Sequence, residues 1–169
     1  MLYIFFSIAF ICFAFHTSIH ILEHYKKISE HRSIFAAIGI SMFFGWFFYF
    51  LASFHDPDPV NLSGVYCIGL IPVMLGFYLF FASHSKVHKR MLSGKGELIT
   101  DGLYKHTRHP MYLGEILILL GAPILGQSLL TLFLSPILII QILIWRYYEE
   151  QELVEEFPEY AEYKKRTWF

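Results

Sequence analysis

The chain has 169 residues, of which 56% are hydrophobic, 19% aromatic and only 16% charged. This composition excludes an ordinary soluble domain and indicates an integral membrane protein with one domain over residues 1–169. The formal net charge of −1 provides no global basic field, so nucleic acid is not expected as a partner. Cys12 and Cys67 lie in apolar runs without metal or redox spacing, and we expect both to be inert.

The hydropathy pattern predicts an all-α fold with five transmembrane helices, since about 20 apolar residues cross about 30 Å of hydrocarbon. The last two arms are short and are separated by Gly126-Gln127-Ser128, which predicts a tight helical hairpin. Pro72 is expected to kink the third span, and Pro123 and Pro136 to bend the hairpin arms. The predicted spans cover about residues 2–22, 34–54, 65–83, 112–125 and 129–145.

Basic residues alternate along the connections between these spans. Residues 23–33 contain three Lys or Arg, 55–64 none, 84–110 six, and 126–128 none, and the tail is basic again at Lys164, Lys165 and Arg166. Because Lys and Arg accumulate on the cytoplasmic side, the amino terminus is predicted to lie outside. The 84–110 loop and a carboxy-terminal helix are predicted to lie in the cytoplasm.

Histidines recur every four residues along the first span, at His16, His20 and His24. Polar groups at this depth are candidates for function, and imidazoles at this spacing can share a metal or bind haem. No Cys, Asp or Glu set accompanies them at membrane depth, so no metal site is predicted. The other interpretations are lining of a substrate channel, and hydrogen bonding between helices or anchoring at the membrane interface. A non-enzymatic haem or metal protein is one alternative function.

Two polar blocks flank the predicted hairpin. Five candidate side chains lie within nine residues before it, and the helix after it starts with Arg146-Tyr147-Tyr148-Glu149-Glu150. Arg146 and the two glutamates share a helix face, which on its own is also typical of a solvated surface. The predicted topology brings the two blocks to the same side of the membrane. The five candidates in the first block are Tyr104, His106, Arg108, His109 and Tyr112.

The two blocks together resemble the isoprenylcysteine carboxyl methyltransferase family and its phospholipid methyltransferase relatives, over about residues 89–167. The resemblance rests on Thr100-Asp101-Gly102-Leu103-Tyr104 and Arg108-His109-Pro110-Met111-Tyr112-Leu113-Gly114, followed by an apolar hairpin of about 30 residues and Glu149-Glu150-x-x-Leu153-x-x-x-Phe157-x-x-Tyr160-x-x-Tyr163.

The resemblance implies that S-adenosyl-L-methionine binds on the cytoplasmic side, between about residues 89–112 and 146–167. It implies catalytic roles for Arg146, which would face the methyl acceptor, and Tyr112. Gly96 departs from the histidine of eukaryotic members, so its contact would be through the main chain or would be absent. The implied cofactor-binding residues are Gly96, Glu97, Leu98, Ile99, Tyr104, Arg108, His109, Pro110, Tyr112, Glu149 and Glu150.

A cationic methyl donor suits a site that contains carboxylates. The methyl acceptor implied by the resemblance is a lipophilic molecule delivered from the membrane: a prenylated protein, a phospholipid, a thiol or another lipophilic carboxylate. Membrane lipids are the other expected partners, and the oligomeric state stays open. A second enzymatic alternative is a membrane sterol reductase of the same broad superfamily, which would use NADPH in a related carboxy-terminal pocket.

Overall fold

A computed structural model of the chain describes residues 1–25, 32–61, 64–93 and 97–169. In these residues every regular element is helical, and there is no β-strand. Two short 3₁₀ turns, Val65–Gly69 and Gly102–Lys105, precede the third and fourth α-helices. The α-helices are α1 (Leu2–His24), α2 (Arg32–Phe54), α3 (Leu70–Ser93), α4 (Pro110–Leu125), α5 (Leu129–Glu156) and α6 (Tyr160–Arg166).

Four of the described helices are long and apolar enough to cross a membrane. They correspond to α1, most of α2, the apolar part of α3 and α5, so the prediction of a multi-pass, all-α membrane protein is confirmed. The remaining predicted span, at residues 112–125, corresponds to α4, which has 16 residues. It is about 24 Å long, which is shorter than the hydrocarbon core of about 30 Å.

Two helices continue well beyond the predicted ends of their spans. The third was expected to end at residue 83, but α3 continues to Ser93, and the last was expected to end at residue 145, but α5 continues to Glu156. Hydropathy marks where apolar side chains stop, whereas the backbone stays helical through the polar residues that follow. Pro72 lies in the first turn of α3, where its missing N–H has no helical partner to lose, so the predicted kink is not required.

Helices α3 and α4 touch through glycines. A Cβ atom added to Gly76 would lie 2.5 Å from the Gly114 carbonyl oxygen, and one added to Gly114 would lie 2.5 Å from that of Gly76. One level further along, Gly69 and Gly121 face each other in the same way, with distances of 2.7 and 2.8 Å. Small residues allow close backbone approach, which favours helix association within a membrane.

The turn between α4 and α5 lies at Gly126-Gln127-Ser128, as predicted, and Ser128 caps α5 by accepting a hydrogen bond from the Thr131 amide. Pro123 lies inside α4 and has no N–H to offer to the carbonyl oxygen of Leu119, four residues earlier. The Tyr49 hydroxyl of α2 and the Ser135 hydroxyl of α5 donate to this oxygen instead, the latter at 3.0 Å. The helix break is thereby satisfied inside the protein.

Helix α1 packs against both α2 and α5. Its main contact with α5 is Trp145, which is 1% exposed and donates from Nε1 to the Thr17 hydroxyl at 2.6 Å. Thr17 donates in turn to Oε1 of Gln141 at 3.1 Å. This buried contact holds α5 just before its polar carboxy-terminal part begins.

We predict that Gly76→Ala destabilises the protein by about 1–3 kcal/mol, because its new methyl group would meet the backbone of α4. Gly39→Ala in α2 is the matched control, since nothing lies within 4 Å of its added Cβ. There the better helix propensity of alanine, worth up to about 1 kcal/mol, should leave stability unchanged or higher. Thermal unfolding in nanodiscs measures both variants, and equal shifts would contradict the close α3–α4 contact.

Candidate functional site

The loop before α4 is held by contacts with α3 and α6 and by a glycine turn. Lys86 of α3 forms an ion pair with Asp101 at 2.5 Å and donates to its carbonyl oxygen at 2.8 Å. Gly102 follows with φ +62°, a conformation that favours glycine. The hydroxyl of Tyr163 in α6 then donates to the Tyr104 carbonyl oxygen at 2.6 Å. With the loop held in this way, Arg108 and His109 lie against the carboxy-terminal part of α5.

The carboxylate of Glu150 is the charged centre of this region. Its side chain is 9% exposed, and its oxygens lie 3.1 Å from Arg108 Nε, 3.3 Å from His109 Nε2 and 3.3 Å from Arg146 Nη2. Lys164 of α6 approaches the second oxygen to 2.5 Å. A buried charge is stable only when it is paired, and here four basic groups surround one carboxylate. The two predicted halves of the site are therefore in direct contact.

Glu149, the neighbour of Glu150, has a different environment. Its side chain is 39% exposed, and Oε2 lies 3.6 Å from His109 Nδ1. The Tyr112 hydroxyl also faces this carboxylate. Among the described residues Glu149 thus retains a partly accessible carboxylate, while Glu150 is occupied by cations. Of the glutamate pair, Glu149 has the more exposed side chain and the fewer basic neighbours.

His109 connects the two glutamates to the start of α4. It is 4% exposed and immediately precedes Pro110, the first residue of α4. Its ring stacks on Tyr112 with centroids 5.6 Å apart. Burial alone would lower the pKa of His109, but the adjacent Glu149 and Glu150 carboxylates outweigh it, and the pKa is raised above 6.5. At neutral pH this imidazole therefore carries more positive charge than a free histidine.

Arg108 is buried and holds the chain end in place. Its Nη1 donates to the carbonyl oxygens of Thr167 at 2.5 Å and Lys164 at 3.3 Å, besides the contact of Nε with Glu150. Its own amide donates to the main-chain oxygen of Phe169 at 3.0 Å. In this structure Arg108 acts on the site through Glu150 and the 164–169 segment.

Arg146, the predicted acceptor-facing residue, lies between Glu150 and the chain end. Its guanidinium carbon is 4.5 Å from the centroid of the Phe169 ring, and its side chain is 24% exposed. Its Nε is buried without a hydrogen-bond partner among the described residues. Trp168 donates from its amide to the His106 carbonyl oxygen at 3.2 Å, so the same segment also covers the loop.

The other predicted cofactor residues are less closely joined. Tyr104 is partly buried, and burial together with the negative charge of Glu149 raises its pKa to about 12. Glu97, Leu98 and Ile99 form an irregular stretch before the 3₁₀ turn, and within the described part of the chain no hydrogen bond or ion pair connects them to Glu149 or Glu150. Gly96 lies outside the described residues.

The histidine stripe of α1 faces α5. His16 and His20 approach each other with Nε2 atoms 3.1 Å apart, and both rings contact Trp145. His24 instead lies beside Tyr148, with ring centroids 4.8 Å apart. In the part of the chain that the structure describes, no group of three His, Cys, Asp or Glu side chains is arranged to hold a metal ion.

Several residues that shape this region are not among the sequence-predicted site residues. Lys164 was predicted only as one of the basic residues that set the topology, and no site role was predicted for Trp145, Thr167 or Phe169. Glu115, a buried carboxylic acid within α4, was also missed. The sequence does mark Glu115, because it is the one ionisable residue between Tyr112 and Trp145, where the other polar side chains are neutral.

A separate cavity of about 630 Å³ lies at the far end of α5. It is about 30 Å from Glu149 along the helix, at the rise of 1.5 Å per residue. None of the predicted site residues contributes to it. Its lining consists of Tyr3, Asp56, Pro57, Asp58, Val60, Leu129, Leu130, Leu132 and Phe133.

Comparison with protein families gives one match, over residues 8–167, to a family described as a protein of unknown function, DUF1295. The chain belongs to the DUF1295 family. The DUF1295 match runs from α1 into the segment after α6 and so includes both polar blocks and the helices before them. Neither the curated proteins nor the solved structures gave a match.

We predict that Glu150→Gln lowers stability by about 3–5 kcal/mol, because it leaves a buried cluster of basic groups without its counter-charge. Glu156→Gln removes a charge from an exposed position of the same helix and is the control. It should change stability by no more than about 0.5 kcal/mol. The apparent Tm of each variant in nanodiscs provides the measurement, and similar small shifts for both would show that Glu150 is not the centre of the cluster.

A pH dependence follows from the raised pKa of His109. A group with a raised folded-state pKa stabilises the fold fully below its unfolded value of 6.5, and this stabilisation is lost as the pH rises through the folded-state pKa. The Tm difference between wild type and His109→Gln should therefore be largest below pH 6.5 and shrink at higher pH. A Tm difference that grows with pH would contradict a raised pKa of His109 in the folded protein.

Proposed function

We propose that this DUF1295 protein is an S-adenosyl-L-methionine-dependent methyltransferase, similar to the isoprenylcysteine carboxyl methyltransferases, that acts on a lipophilic acceptor at the boundary between membrane and cytoplasm. One observation carries the proposal. The two sequence blocks of the resemblance, separated by the α4–α5 hairpin, meet at Glu149 and Glu150 through Arg108, His109 and Arg146.

The charge distribution supports a cationic ligand. Glu149 is 39% exposed and has His109 as its nearest basic neighbour, so its carboxylate can still accept from an ammonium or lie near a sulfonium. Two opposite charges about 4 Å apart near a protein surface attract by about 4 kcal/mol before desolvation is subtracted. Glu150 is already surrounded by four basic groups and holds them in place next to Glu149.

Aromatic rings around Glu149 supply the remaining surface. Tyr112 and His109 are stacked, and Tyr104 is close enough for the Glu149 charge to raise its pKa. Such rings bind flat heterocycles and cationic groups through their faces. We assign Tyr104, His109 and Tyr112 to the wall of the cofactor pocket and Glu149 to the amino-acid end of the cofactor.

The bound cofactor would supply an activated methyl group on a sulfonium. The protein's own contribution is to position the two reactants and to exclude water. Trp145, which is 1% exposed, closes the interior side of this region. The guanidinium of Arg146 is held by Glu150 and Phe169 and retains a buried, unpartnered Nε among the described residues, so it can donate to a polar group of the acceptor.

The apolar helices favour an acceptor that arrives from the bilayer, with membrane lipids around it. On the alternation of basic loops, the amino terminus would lie outside and the cofactor site and carboxy-terminal helix in the cytoplasm. The reductase alternative is less compatible with the local charge. The phosphates of NADPH would need basic groups, and those of this region are already paired with Glu150.

We predict that the purified protein in nanodiscs binds S-adenosyl-L-methionine and its demethylated product, as measured by calorimetry. Glu149→Ala and His109→Ala should each weaken binding at least about tenfold, which corresponds to about 1.4 kcal/mol for a lost charged contact. Glu155→Ala, an exposed carboxylate two turns further along α5, is the matched control and should bind with wild-type affinity.

NADPH is tested in the same experiment. Binding of NADPH without binding of S-adenosyl-L-methionine would replace the proposal by the reductase alternative. Binding of neither by the folded wild-type protein would refute both enzymatic functions. A Soret band or stoichiometric metal that disappears in His20→Ala would favour a haem or metal protein built on the α1 stripe.

A further inference from the structure

Glu115 is a buried carboxylic acid inside the apolar helix α4. Its exposed fraction is 4%, and its Oε2 has no hydrogen-bond partner among the described residues. Within the same residues no Lys, Arg or His forms an ion pair with it. An uncompensated carboxyl group in an apolar interior costs several kcal/mol, and ionisable groups at this depth generally serve a function.

Its position relates Glu115 to the candidate site. It lies three residues after Tyr112, so both occupy one face of α4. Tyr112 contacts Trp145 with ring centroids 6.4 Å apart, and further along the hairpin Leu119 is hydrogen-bonded to Ser135. The antiparallel register between these two contacts places Glu115 level with Gln141 of α5.

Gln141 presents a second unpartnered group at this level. It is 7% exposed, and its Oε1 accepts from Thr17 at 3.1 Å. Its Nε2 is buried without a partner among the described residues. Within the described residues, Glu115 Oε2 on α4 and Gln141 Nε2 on α5 are thus two buried polar atoms without a hydrogen-bond partner at one level of the hairpin. Buried polar atoms are rarely left unsatisfied without a reason.

Glu115 and Glu150 differ in the chemistry that they can perform. Glu150 contacts four basic groups, which fix its negative charge and make it a poor proton acceptor. Glu115 has no such contacts, so nothing opposes its protonation. In its ionised form, a carboxyl group of this kind can remove a proton from a substrate that reaches it.

We propose that Glu115 is the proton acceptor of the methyl-transfer reaction, that Gln141 holds the acceptor's head group, and that the methyl acceptor is a protic nucleophile, a thiol or an amine on an apolar chain. This inference rests on the proposed function and narrows its acceptor class. A carboxylate acceptor would release no proton on methylation and would leave Glu115 without a role.

The chemistry balances without any further reactant. For a thiol, the ionised form of Glu115 accepts the S–H proton at Oε2, the thiol sulfur forms the new bond to the methyl carbon, and the sulfonium–methyl bond breaks with its electron pair returning to the cofactor's sulfur. The protonated Glu115 must then release this proton before the next turnover. For a neutral amine, nitrogen forms the bond first, and the resulting ammonium gives its proton to Glu115. Tyr112 lies one turn before Glu115 on the same face of α4, and the Glu149 side chain beyond it is 39% exposed.

The first test uses the protein without cofactor. Dicyclohexylcarbodiimide, an apolar reagent that modifies carboxylic acids, is expected to label Glu115, as read by mass spectrometry. The label should disappear in Glu115→Gln and persist in Glu162→Gln, an exposed control on α6. Absence of label at Glu115 in the wild-type protein would mean that the carboxyl group cannot be reached from the apolar interior, and would overturn the proposal.

The second test compares three probes that share an alkyl chain of the same length and differ in their polar head group: 1-decanethiol, decylamine and decanoate. We expect transfer to the thiol, the amine or both, and not to decanoate. Glu115→Gln should lower kcat for the methylated probe about 100-fold or more, the usual contribution of a positioned base, with little change in KM. Its affinity for S-adenosyl-L-methionine should equal that of wild type, which separates a lost base from a lost fold.

The outcomes separate the two proposals. If the wild-type protein does not bind S-adenosyl-L-methionine, the proposed function itself fails. If it binds the cofactor but methylates decanoate as fast as the other probes, or methylates none of the three, the function stands and the role of Glu115 is refuted. The same holds if Glu115→Gln retains wild-type kcat on the thiol and the amine. Glu162→Gln should keep wild-type kcat throughout.

Discussion

The carboxylate of Glu150 joins parts of the chain that would otherwise have no reason to meet. Arg108 comes from the loop before α4, Arg146 from α5 itself and Lys164 from α6, and each reaches the same buried carboxylate. Bringing one negative group out of water without its partners would cost several kcal/mol. The loop, the helix and the chain end are therefore coupled, and the half-exposed Glu149 depends on this arrangement for its orientation.

The length of α5 explains how a site of this kind can stand at a membrane boundary. With 28 residues the helix is about 42 Å long, whereas the hydrocarbon core is about 30 Å thick. Its polar last turns extend beyond the apolar part without a break in the backbone. Trp145, bonded to Thr17 of α1, fixes the helix just before that point. The height of the site relative to the bilayer is thus set by a rigid helix rather than by a flexible loop.

The sequence predicted the class of fold and the meeting of the two polar blocks, because both depend on strong local signals. Long apolar runs identify α1, α2 and α5. The alternation of basic connections predicts that the Arg108-His109-Pro110 block and the polar part of α5 lie on one side of the membrane. Which of the two adjacent glutamates is paired with basic groups was not predictable. Glu149 and Glu150 are adjacent in sequence, and only the three-dimensional position of Lys164 and Arg108 decides which carboxylate is neutralised. Helix ends were missed for the same reason, since hydropathy does not record backbone geometry.

The glycine contacts between α3 and α4 also limit where the bilayer can communicate with the interior. At Gly76 and Gly114 the two backbones approach so closely that not even a methyl group fits between them. An acyl or prenyl chain is far thicker than a methyl group and cannot slip through a boundary of this kind. At the levels of Gly76 with Gly114 and of Gly69 with Gly121, the boundary between these helices therefore leaves no passage from the lipid to the interior.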